Sequence, residues 1–195
     1  MSTQPLLIEI GVEEIPAGVA PRMGKALQEA VEKLLEDANV APENIRLGVT
    51  PRRLLLHAAD CPVMQADRME TIWGPPERVA FSDGKPAGAA IGFARKSGLS
   101  LEDFELADKG DGKGRYMKAV KAVKGQKVAD MIAAAMPDIL RKLPSPKAMR
   151  WQDGETRSDA FIRPVRWIVA LLGDAVIPFS FAGIQSGKQS CGHRM

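Results

Sequence analysis

Apolar residues never run far in this chain, and that limits what it can build. Residues 167–172, Trp-Ile-Val-Ala-Leu-Leu, form a strand-sized stretch, and nothing approaches the roughly 18 apolar residues that span a bilayer. The opening, Met1-Ser-Thr-Gln-Pro-Leu-Leu-Ile-Glu9, lacks the basic region and apolar core of a secretory signal. A cytoplasmic protein without membrane contact is therefore expected. At 195 residues, with 45% hydrophobic and 26% charged side chains, the composition suits a soluble globular chain of one large domain or two small ones.

Short apolar runs alternate with amphipathic segments. Residues 6–10 read as a buried strand closed by Gly11. Val19, Met23, Leu27, Val31 and Leu34 recur at helical spacing and predict a helix over 17–38, stopped at Asn39. Pro16 suits its first turn, and Glu13 and Glu14 its positive end. Strands are expected at 45–49 and 53–59 around Thr50-Pro51-Arg52, and again at 71–73 and 78–81. A helix over 86–97 should end at Gly98. Gly88 and Gly92 weaken it and call for another backbone nearby in compensation.

Ser100-x-x-Asp103 fits a capping box, and residues 104–107 and 115–123 fit a hairpin. The glycine-rich tip between them lacks the Gly-Lys-Ser/Thr ending of a phosphate loop and the spacing of a dinucleotide fingerprint. Residues 127–136 read as helix with Val128, Met131, Ile132 and Ala135 inward; Pro137 should kink it or start a second helix over 138–142. Gly173-Asp174 fits a tight turn between strands at 168–172 and 176–181. The fold class is α+β, a mixed, mainly antiparallel sheet with several packed helices. Leu143-Pro-Ser-Pro146 marks an internal sub-boundary near 143–150.

The residues for bond-making chemistry are sparse. Cys61 and Cys191 are distant in sequence, with only His57 and His193 to join them, and the spacing matches no zinc site. Two free thiols are expected, and neither metal nor cofactor. A Cys191–His193 pair has no evident orienting partner. Glu9, Glu13 and Glu14 form a carboxylate group, and Glu9, set in an apolar strand, needs a partner if buried; Arg52-Arg53 supply one candidate.

Positive charge is the stronger signal. The net charge of +3 hides an asymmetry: residues 1–45 hold three basic and eight acidic side chains, residues 113–150 ten basic and two acidic. Pro51-Arg52-Arg53, Lys147-Ala-Met-Arg150-Trp151 and Arg163-Pro-Val-Arg166-Trp167 each set paired cations beside a proline or tryptophan. Arginine forks grip phosphate, and an indole stacks on a base or carries a guanidinium. The alternative is a structural, protein-interacting module whose arginines pair internally.

Taken in order, these segments resemble the start of the beta subunit of the bacterial heterotetrameric glycyl-tRNA synthetase. The resemblance is carried by Leu7-Ile-Glu-Ile-Gly-Val-Glu-Glu-Ile-Pro16, Thr50-Pro-Arg-Arg-Leu54, Gly74-Pro75, Lys85-Pro86 and Gly92-Phe-Ala94. It continues through Pro146-Lys-x-Met-Arg-Trp151, Phe161-x-Arg-Pro-Val-Arg-Trp167 and Gly192-His-Arg194, so that it covers essentially residues 1–195. It implies an N-terminal region of a longer subunit whose remainder continues past Gly-His-Arg. It also implies a division of labour: the alpha subunit uses ATP and magnesium to make glycyl-adenylate, and the beta subunit contributes tRNA recognition. The partners implied are the alpha subunit and tRNA(Gly), with no catalytic residue in this stretch. The tRNA-contact candidates are Arg52, Arg53, Lys147, Arg150, Arg163, Arg166, His193 and Arg194.

Overall fold

The computed structural model describes residues 2–82, 85–110, 112, 114–150 and 159–192. The chain divides into two compact units, the first formed by Met1–Ala66 with Gln126–Met195 and the second by Asp67–Gly125. Residues 143–150 lie inside the first unit.

In chain order the first unit begins with β1 (Thr3–Val12), α1 (Ala20–Asp37), β2 (Arg46–Thr50) and β3 (Arg53–Pro62). The second unit contributes β4 (Arg68–Pro76), α2 (Glu77–Ala80), β5 (Phe81–Ser82), β6 (Lys85–Pro86) and α3 (Gly88–Ser97). A 3-10 turn (Leu101–Asp103), β7 (Glu105–Asp108) and β8 (Arg115–Val123) complete it. The first unit resumes with α4 (Val128–Lys142), β9 (Met149–Arg150), β10 (Ala160–Phe161), β11 (Val165–Leu172), β12 (Ala175–Val176), β13 (Ser180–Phe181) and β14 (Ile184–Gly187).

The main sheet of the first unit runs β13-β14-β11-β1-β3-β2, with β12 also paired to β11. Every pairing in it is antiparallel except β11 with β14. This is the expected α+β class with a mixed, mainly antiparallel sheet. Leu6, Ile8, Ile10 and Val12 alternate along β1 and bury one face against α1 and α4. From α1 come Met23, Leu27, Val31 and Leu35, and from α4 Val128, Ile132, Met136 and Leu140. Leu35, not Leu34, is the fully buried member of the last turn of α1.

Several boundaries differ from the sequence expectation for identifiable reasons. The helix α1 starts at Ala20 with Pro21 near its N-terminus, so neither Pro16 nor the two glutamates lie in its first turn. Residues 13–15 are instead held by backbone bonds, Glu13 N to Pro164 O at 3.2 Å and Ile15 N to Pro51 O at 2.6 Å. Residues 78–80, expected as strand, belong to the helical turn α2. α4 continues through Pro137 as one element, because Ile132, Met136 and Leu140 keep the same face buried on both sides of it.

Within the second unit β4, β8 and β7 form an antiparallel sheet. Gly98 ends α3 in the left-handed conformation at φ 69°, and Ser100 with Asp103 forms the expected capping box. A side chain at Gly88 or Gly92 would meet nothing within 4 Å, so close backbone approach does not explain them. Gly74 makes room for a side chain instead: a Cβ there would lie 2.7 Å from the Phe93 ring. Asp67 Oδ1 accepts the Gly125 N–H at 2.8 Å and ties the two ends of the unit together.

Candidate functional site: an arginine-lined cleft

Strand β1 runs antiparallel to both β3 and β11, so its C-terminal end lies beside their starts. Gly11 pairs with Arg53 on one side and Trp167 on the other, and Glu9 with Leu55 and Val169. Because side chains alternate, Glu9, Gly11, Arg53 and Trp167 share the sheet face opposite the helices. Three motifs distant in sequence are thereby joined: the Glu9–Pro16 segment, the Thr50–Arg53 turn and the Arg163–Trp167 segment. The chain at Ser190–Gly192 makes the fourth part.

Glu9 is the hub. Only 4% of it is exposed, and its Oε1 accepts from Arg53 Nη1 at 3.0 Å, Trp167 Nε1 at 2.8 Å and Ser190 Oγ at 2.8 Å. A carboxylate taken from water needs this many donors to persist as a charge. Arg53 in turn donates to Ser190 Oγ at 3.1 Å and to the Cys191 carbonyl, and its guanidinium lies over the Trp167 ring, 5.3 Å from the centroid. The indole fits against Gly11 because that residue has no side chain: a Cβ would fall 2.0 Å from the ring.

The other arginines of the region have different roles. Arg166 pairs with Glu13 at 2.9 Å, both about half exposed, an arrangement worth about 0–1 kcal/mol. Arg163 donates to the backbone carbonyls of Glu14 and Ile162 at 3.0 and 3.1 Å. Arg52 is fixed at its backbone, its N–H on Thr50 Oγ1 at 3.2 Å and its carbonyl accepting from Val12 N at 3.0 Å. Its side chain is not: Nε is buried and meets no acceptor.

These groups border an open cleft of about 430 Å3, lined by the turn residues Thr50 to Arg53 with Glu14, Trp167 and Gly192. An adjoining hollow of about 290 Å3 shares Arg52, Trp167 and Gly192 and adds Arg166 and Cys191. Arg52, Arg53, Arg163 and Arg166 are thus brought into one region. Lys147 and Arg150 are exposed on another segment, where Arg150 pairs with Ala160 across β9 and β10, and neither lines the cleft. His193, Arg194 and Trp151 lie outside the described residues.

The basic stretch 113–150 divides between the two units. In the second, Arg115 forks onto Glu77 at 3.0 and 2.8 Å, Lys118 meets Glu105 at 2.9 Å and Lys121 donates to the Ser97 carbonyl at 2.8 Å. In the first, Arg141 Nε reaches Asp159 at 2.6 Å. Among the described residues, four of the ten cations that composition offered for phosphates thus have internal partners.

Chemically, the region offers two carboxylates paired with arginines, Glu9 and Glu13, a third at the cleft wall, Glu14, without an ion pair among the described residues, and an aromatic wall. His57 sits in β3 opposite Leu7 and Arg46, away from any nucleophile–base pair in the cleft. The thiols are free and unequal: Cys191 is exposed, whereas Cys61 is buried, and desolvation first, then the Asp60 charge, pushes its pKa up to about 11. A disulfide reagent at pH 8 should therefore modify Cys191 quickly in the native chain and Cys61 only after denaturation. Rapid reaction at both positions would contradict the packing of β3.

The ordered motifs agree with comparison to known proteins. A family model described as glycyl-tRNA synthetase beta subunit matches residues 6–195. The glycine–tRNA ligase beta subunit of Trichlorobacter lovleyi is 43% identical over 190 residues, 97% of this chain and 27% of the relative. That of Geobacter sulfurreducens is 41% identical over 190 residues, with the same 97% and 27% coverage. That of Nitratidesulfovibrio vulgaris is 41% identical over 191 residues, 97% of this chain and 26% of the relative. The chain thus spans about a quarter of the length of these curated relatives, in their N-terminal part. With the family's match running through every segment that builds the cleft, the chain belongs to the glycyl-tRNA synthetase beta subunit family.

Proposed function

We propose that this chain serves the ATP-dependent attachment of glycine to tRNA(Gly) as a non-catalytic part of the ligase, working in the cytoplasm. Adenylation, with its ATP and magnesium, belongs to the alpha subunit, and this chain holds surfaces for tRNA or for the rest of the assembly. The observation that carries the reading is the Glu9 hub. It commits the best-placed carboxylate, arginine and tryptophan of the motif-bearing cleft to one another, so they act as a clamp on the fold rather than as reacting groups. The same hub favours, for Arg53, the alternative in which the arginines are structural.

Reconstitution tests this. Purified alpha subunit mixed with the complete beta subunit should glycylate tRNA(Gly), whereas alpha subunit mixed with this chain should show only background. Charging by the latter mixture at a rate near that of the complete pair would overturn the assignment of a supporting role.

A further inference from the structure

We propose that the cleft bordered by Thr50, Arg52, Trp167 and Gly192 is a receptor for one phosphodiester group, gripped by the Arg52 guanidinium. The reading above enters only in naming the source, a tRNA backbone; the receptor itself stands on the geometry.

Of the four arginines gathered here, three are already engaged. Arg53 is neutralised by Glu9, Arg166 is paired with Glu13, and Arg163 is spent on two backbone carbonyls. Among the described residues Arg52 meets no carboxylate, and its Nε is shut away from water without an acceptor. A buried donor left unmade is unfavourable, so the guanidinium gains by turning its Nε out of this closed position toward an anion in the cleft. Its backbone does not need ordering. The backbone of Arg52 is pinned to Val12 and Thr50, and Pro51 O to Ile15 N, so a ligand need fix only the side chain.

The lining also selects among anions. Thr50 Oγ1 accepts the Arg52 N–H and keeps its hydroxyl proton for a second oxygen. A guanidinium fork and a hydroxyl match the two free oxygens of a phosphodiester. Glu14, which also lines the cleft, repels a dianion more than a singly charged diester. The volume of about 430 Å3 leaves room for the sugar attached to the phosphate. An acidic side chain of a partner protein is the rival occupant; its two oxygens can take the same fork and hydroxyl, so titration with each is what separates the two.

The Arg52 Nε–Hε NMR correlation of this chain, assigned by its loss in Arg52→Lys, reports the event directly. Titration at low salt with tRNA, and with dimethyl phosphate at higher concentration, should shift it; a glutamate-rich peptide should not. In the complete beta subunit Arg52→Ala should weaken tRNA binding about tenfold. It should also flatten the slope of log affinity against log salt by roughly 0.7–0.9, the value of one phosphate contact. Arg52→Lys should keep part of the salt slope while losing affinity. Unchanged affinity and slope in Arg52→Ala overturn the proposal, as does a response to the glutamate peptide alone. Failure of the complete subunit to support charging, with Arg52 responding to tRNA as described, would instead count against the functional reading.

Discussion

Gly11→Ala is expected to destabilise the first unit by about 3 kcal/mol or more, at the upper end of overpacking effects. The new methyl would stand 2.0 Å from Cε2 and 2.1 Å from Cδ2 of Trp167, overlapping the ring outright. Neither side can yield easily. Gly11, near the C-terminal end of β1, is paired on both sides, and the indole is held by its hydrogen bond to Glu9. The urea midpoint of the variant should fall well below that of the parent with little change in slope. Trp167→Leu removes the ring that the methyl strikes, so the double variant should be less destabilised than the two single changes added together. A single Gly11→Ala chain as stable as the parent would show that the indole does not rest on β1.

Glu9→Ala should cost a comparable amount, about 3–5 kcal/mol, because it leaves the Arg53 charge without its counter-ion. Trp167 Nε1 and Ser190 Oγ lose their acceptor at the same time. Arg53 is 30% exposed, which lets water recover part of the loss and places the expectation nearer the lower figure. Removing the charge pair as a whole differs from breaking it: Glu9→Leu with Arg53→Met should be markedly more stable than either change alone. Amide exchange adds a local readout, since Ser190–Gly192 should lose protection in Glu9→Ala at denaturant concentrations where α1 stays protected. Equal protection at both places would mean that the hub does not anchor that segment.

Much of the architecture is legible in the residues themselves. The stripe of α1 as far as Val31, the Gly98 cap, the Ser100 capping box and the Gly173 turn each depend on a few neighbours, and each appears where spacing and turn chemistry put it. The errors occur where distant contacts decide. The start of α1 moves because residues 13–15 are bonded to Pro51 and Pro164, which local propensity cannot register. Glu9 in an apolar strand did signal a buried partner, and the Arg52-Arg53 pair was one candidate source for it. That Arg53 and not Arg52 answers follows from the pairing of Arg53 with Gly11 at the start of β3, which leaves Arg52 in the turn. The role of Trp167 was not readable: it meets Glu9 across 158 residues, and nothing beside Gly11 in sequence announces a flat ring above it.

The pairing of β1 with β11 has a consequence for synthesis. One edge of β1 finds β3 within the first 62 residues, but its other edge waits for Val165–Leu172. At a ribosomal rate of roughly 5–20 residues per second, that edge stays open for on the order of ten seconds. The intervening Asp67–Gly125 unit, continuous in sequence and tied at its ends, can close on itself meanwhile. The waiting edge includes Leu6, Ile8 and Ile10, an apolar row suited to pairing with a strand of another chain. Nascent chains halted between the two events should therefore be the species most in need of a chaperone.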